Sequence, residues 1–91
     1  MNDTKIILSS LAMDLKRVAL GLNRGSQIMA ARFAEEALAR KRELNIKKVH
    51  PYLAKLLIGV ETSLAGVDNR KKSEDALMYS TLLQNYSATL S

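Results

Sequence analysis

Ninety-one residues, 47% of them apolar and 25% charged, suit one folded domain and exclude both a disordered chain and a protein with two separate cores. The absence of cysteine excludes a disulfide framework and any thiolate metal site. The formal charge of +5 is uneven, with ten basic and five acidic side chains in residues 1–50 and four of each in residues 51–91, so an anionic partner, nucleic acid first, has to be weighed.

A single Pro, four Gly and four aromatic residues favour helix over sheet. The first helix is predicted over residues 4–23, with Asp3 or Thr4 at its start. Leu8, Leu11, Leu15, Val18 and Leu22 recur at alternating spacings of three and four, an apolar seam of the kind that bundles bury. Ile7, Ala12 and Ala19 broaden the seam, and Ser10, Asp14, Arg17 and Gly21 are expected to face the other way. The short apolar run after Lys5 is interrupted by Ser9 and Ser10 and ends at Asp14, so helical spacing describes it better than a signal peptide does. No window approaches the ~20 apolar residues that a bilayer span requires, and a soluble, cytoplasmic protein is expected.

Asn23, Arg24, Gly25 and Ser26 read as a turn, with Gly25 suited to a left-handed helix end and Ser26 to capping the next helix. The second helix is predicted over residues 27–44, with Ala30, Phe33, Ala34, Ala37, Leu38 and Leu44 inward; its small side chains invite close approach by a neighbour. Residues 45–50 form a basic link, and Pro51 fits the first turn of a third helix over residues 51–65, where its missing amide proton costs nothing. Between Pro51 and Gly66 the only charged residues are Lys55 and Glu61, so this helix is expected to be the most buried, with the others as its cover. Leu53, Leu56, Leu57, Val60 and Leu64 make its main face, Ala54, Ile58 and Ala65 a second apolar strip, and Gly59 and Ser63 a groove. A fourth helix is predicted over residues 73–89, capped by Ser73, with Ala76, Tyr79, Leu82, Leu83, Tyr86 and Leu90 inward.

Four helices joined by short links predict an all-α fold, a small up-down antiparallel four-helix bundle forming a single helical domain over residues 1–91. The alternative fuses the first two helices into one and leaves a three-helix protomer in a helical dimer.

Chemistry is sparse. His50, the sole histidine, precedes Pro51 and reads as a loop residue rather than as an acid–base group. Glu35 and Glu36 point to different sides of a helix, and no Glu-x-x-His pattern, phosphate loop or nucleophile elbow occurs. No enzyme activity, cofactor, metal, small-molecule substrate or membrane contact is expected. Arg40, Lys41, Arg42, Lys47 and Lys48 form a basic stretch that could contact phosphate, or could simply decorate a helix C-terminus with cations that favour its dipole. Interleaved base-stacking aromatics are lacking, with Tyr52 the one ring nearby. The leading expectation is a non-catalytic protein–protein interaction module that self-associates as a homodimer, an adaptor or regulatory subunit, possessing candidate contacts at Ala54, Ile58, Gly59, Ser63 and Ala65 and room for a second protein partner. The alternative is a nucleic-acid-binding accessory protein that uses the basic stretch.

Overall fold

The computed structural model of the chain describes residues 3–90. Four helices, α1 (Asp3–Asn23), α2 (Gln27–Arg42), α3 (Pro51–Leu64) and α4 (Asn69–Ala88), make an all-α up-down bundle. Each helix packs beside its successor and α4 returns to α1. The antiparallel sense of the α1/α4 pair is fixed by Ser73 bonding to Asn23 at one end, Ser80 to Ala12 in the middle and Ser87 to Ser9 at the other.

The first two helices are separate, as the turn chemistry predicts. Gly25 takes a φ of +75°, the Ser26 N–H donates to the Gly21 carbonyl at 2.8 Å, and the Gly25 N–H donates to the Leu22 carbonyl at 3.2 Å. This double bond pattern around a left-handed residue closes the C-terminus of α1. Ser26 Oγ then accepts the Met29 N–H and caps α2. Pro51 occupies the first turn of α3, also as predicted.

Two expectations are corrected. The fourth helix begins at Asn69, not at Ser73: the Asp68 carboxylate accepts the N–H groups of Arg70 and Lys71, so the cap lies one turn earlier. Ser73, freed from that task, is buried against α1. The second correction concerns which helix is central. α3 buries one face, Leu53, Leu56, Leu57 and Val60, whereas α1 buries Leu8, Leu11, Leu15 and Val18 together with Ala12, Ala19, Asp14 and Gly21. Asp14 and Gly21, expected to face outward, lie under α2.

Small residues on both flanks of α1 make this possible. On one flank Ser73, Ser80 and Ser87 of α4 follow at seven-residue spacing and are all buried. Ser80 Oγ donates to the Ala12 carbonyl at 2.7 Å, a bond only a close helix pair allows. On the other flank Gly21 faces the backbone of Ala30, where a Cβ would stand 2.9 Å from the Ala30 nitrogen. Ala30 and Ala37 are buried there, so the expectation of close approach through the alanines of α2 holds.

α2 and α3 are offset along the bundle. Arg40 meets Asp14 in the middle of α1, and Lys41 meets Glu61 near the end of α3. α2 therefore covers the C-terminal half of α1 and α3 the N-terminal half, with the link of residues 43–50 continuing beyond α2. Leu44, Ile46 and Val49 of that link pack on the main core of Leu8, Leu11, Leu15, Leu53, Leu57, Val60 and Leu83. A smaller core of Val18, Ala19 and Ala76, flanked by Leu22 and Phe33, lies under α2.

Substitutions on the flanks of α1 should separate bonding from space. Ser80→Ala removes one bond from a carbonyl that keeps its helical partner and is expected to cost about 1 kcal/mol. Gly21→Val forces α1 and α2 apart and is expected to cost about 2–3 kcal/mol. Urea denaturation followed by circular dichroism measures both, and a Gly21→Val loss no larger than that of Ser80→Ala would refute close packing of α1 on α2.

Candidate functional site

The basic stretch is not a uniform patch. Arg40 and Lys41 are engaged within the chain: Arg40 Nε lies 3.6 Å from Asp14 Oδ2, and Lys41 Nζ lies 2.7 Å from Glu61 Oε2. Arg40, Lys41 and Arg42 form the last turn of α2, where their charge complements the helix dipole. Beyond it, Asn45 Oδ1 accepts the Lys47 N–H and the Asn45 carbonyl accepts the Lys48 N–H, a local turn that competes with further helix. Arg42, Lys47 and Lys48 are exposed. The structure thus divides the five cations into two ion-paired within the chain, Arg40 half-exposed and Lys41 more covered, and three turned to solvent.

Asp14 is the polar group that the periodicity misplaced. It is buried between α1 and α2, and its Oδ2 has no hydrogen-bond partner. Arg40 and Arg17 approach it at 3.6 and 3.7 Å, ion-pair distances too long for a hydrogen bond. Burial pushes its pKa above the ordinary carboxylate value; Arg40 opposes the rise, Glu36 adds to it, and Arg17 opposes it. Glu61, in contrast, is exposed and is held below the usual range by its hydrogen bond and charge contact with Lys41. The guanidinium groups of Arg17 and Arg32 also flank the Phe33 ring, 5.3 and 5.8 Å from its centre.

His50 sits directly before the first turn of α3, hydrogen-bonded to the backbone there. Its Nδ1 accepts the Tyr52 N–H at 3.1 Å, which makes it the cap of α3. No group of three or more His, Cys, Asp or Glu among the described residues could hold a metal ion. No described helix is long and apolar enough to cross a membrane.

The candidate contacts on α3 divide as well. Tyr79 of α4 lies over Gly59 and closes that end of the groove, while Ser63 lines an open pocket with Thr62, Gly66 and Lys71. Ser63 and Ala54 are half-buried, Ala65 is exposed, and Ile58 stands 57% exposed as the one large apolar side chain of that strip.

A broader surface lies elsewhere. Ile6, Met13 and Leu20, seven residues apart on α1, are 49, 45 and 42% exposed and lie in line. Across a shallow groove stands Leu77 of α4, 49% exposed, with Thr81, Gln84 and Asn85 beyond it. Lys16 is the sole charged side chain lining that groove. The signal was present in the sequence, because no charged residue occurs from Ala76 to Leu90, and a solvent-facing helix surface ordinarily carries Lys and Glu. Helix periodicity registers only the inward row and passes over what the outward row lacks.

No protein-family model matches the chain, and no curated protein or solved structure matches it significantly.

Asp14→Asn should stabilise the fold at neutral pH by about 1 kcal/mol, since it removes a buried charge whose desolvation the two arginines only partly offset. A raised folded-state pKa means that Asp14 favours folding below its unfolded value of 3.8 and loses that contribution as pH rises through its folded pKa. The gain from Asp14→Asn is therefore expected to vanish at about pH 3 and to be complete at about pH 7, read from urea midpoints of the two proteins.

Proposed function

We propose that this chain is a non-catalytic helical interaction module that self-associates and serves as an adaptor or regulatory subunit. The observation that supports it is the outer face of α1 and α4, where Ile6, Met13, Leu20 and Leu77 stand exposed with few charges among them, in a chain that is one quarter charged. Depletion of charge with enrichment of methionine and large apolar groups marks the centre of protein interfaces. An exposed row of this kind on a small bundle has a use when another surface covers it. The α3 strip around Ile58 contributes less to the reading, since Tyr79 already covers Gly59. A cytoplasmic setting belongs to the same reading, in keeping with the cysteine-free sequence.

Light scattering coupled to size exclusion is expected to give a dimer at high micromolar concentration. Met13→Lys combined with Leu77→Lys is expected to give a monomer with unchanged helical circular dichroism, because both side chains are exposed in the single chain. A parent protein that elutes as a clean monomer throughout overturns the reading.

A second reading, nucleic-acid binding by an accessory protein, rests on Arg42, Lys47 and Lys48, the cations of the basic stretch that face solvent. Three phosphate contacts correspond to a slope of about −3 in log affinity against log salt for duplex DNA. Lys47→Glu with Lys48→Glu should weaken binding and flatten that slope, and no DNA or RNA shift at low salt removes the idea.

A further inference from the structure

We infer that the second copy docks through α1 in antiparallel sense, with a twofold axis passing beside Met13. This deepens the self-association reading and rests on it.

Position along the helix carries the argument. Ile6 and Leu20 lie seven residues either side of Met13 on the same exposed row. A twofold axis perpendicular to α1 at Met13 sets Ile6 of each copy on Leu20 of the other and Met13 on itself. Such a surface is self-complementary, as an isologous interface must be. Lys16, the cation lining the groove, shares the α4 side of the row with Ser9 and then falls opposite Ser9 of the second copy. A parallel arrangement in register would instead set Lys16 against Lys16, and like charges facing each other at an interface are costly. Antiparallel α1 helices also oppose their dipoles, whereas parallel ones align them.

Net charge favours this face for a second copy. The chain carries +5, so two copies repel unless the contact surface is nearly free of cations. The α2 end and the link after it present Arg42, Lys47 and Lys48; the outer face of α1 and α4 presents Lys16 in its groove and Arg17, whose charge is paired with Asp14. The available area is sufficient. A face about 30 Å long and about 20 Å wide, two helices across, offers ~600 Å² per copy, or ~1,200 Å² in total, the lower end of the range for specific interfaces.

The absence of native cysteine makes single introduced thiols clean reporters. Ile6, Met13, Leu20 and Ile58 are each at least two-fifths exposed, so cysteine at any of them leaves the core intact. Met13→Cys alone should be joined rapidly into a covalent dimer by a short bismaleimide, at least tenfold faster than Val67→Cys, a 96% exposed collision control. Ile6→Cys alone and Leu20→Cys alone should react no faster than the control, because each lies about 21 Å from its own copy across the axis. A mixture of Ile6→Cys and Leu20→Cys chains should regain the fast joining. Fast joining of Ile6→Cys to itself would overturn the antiparallel sense. A dimer by light scattering that joins through Ile58→Cys and not through Met13→Cys would overturn the face while leaving self-association intact. A monomer by light scattering would overturn both this inference and the reading on which it rests.

Discussion

The architecture depends on how closely α4 approaches α1. Ser73, Ser80 and Ser87 recur every seventh residue on α4, and each is buried with its hydroxyl bonded. A serine hydroxyl reaching a main-chain carbonyl, as Ser80 reaches Ala12, requires the helix axes to lie nearer than leucine would permit. α1 thereby gains one wall made of small side chains, and Gly21 against Ala30 supplies the same condition on its other side. With both flanks occupied, the seam of Leu8, Leu11 and Leu15 is left for α3 to cover, using Leu53, Leu57 and Val60. The most apolar helix of the sequence is in this way a lid on one half of the molecule, and the first helix is its axis.

Such packing trades apolar volume for proximity. Alanine, glycine and serine bury little hydrophobic area, and a chain of this size has a limited core in any case. Part of the interior is polar, and Asp14 is the costly member. Its carboxylate is held beneath α2 by two arginines at ion-pair distance, without a hydrogen bond to Oδ2. A pair of this kind contributes little net stability, yet it opposes any sliding of α2 along α1, because displacement would leave the buried charge alone.

The surface is divided as sharply as the interior. Cations collect at the end of α2 and in the link that follows, where two of five are neutralised by Asp14 and Glu61. The outer face of α1 and α4 is almost free of charge and carries the exposed apolar row. The proposed self-association rests on this segregation of charge.

The sequence by itself determined the number of helices, their separation and most of their ends. Gly25 required a positive φ, Ser26 supplied a cap and Pro51 tolerated only a first turn, and each of these is a constraint satisfied within a few neighbouring residues. The inward rows were equally legible, because a 3.6-residue period follows from the helix alone. Tertiary structure decided what periodicity leaves open. Asp68 rather than Ser73 caps α4, and Ser73 instead bonds across the bundle to Asn23, fifty residues away in the chain. Asp14 is inside rather than outside because α2 packs over that face of α1 and brings Arg40 to it. Gly59 is covered rather than open because Tyr79 reaches it from another helix. Each outcome turns on which second helix arrives at a given face and how near it comes, a property of pairs of helices and not of any one of them.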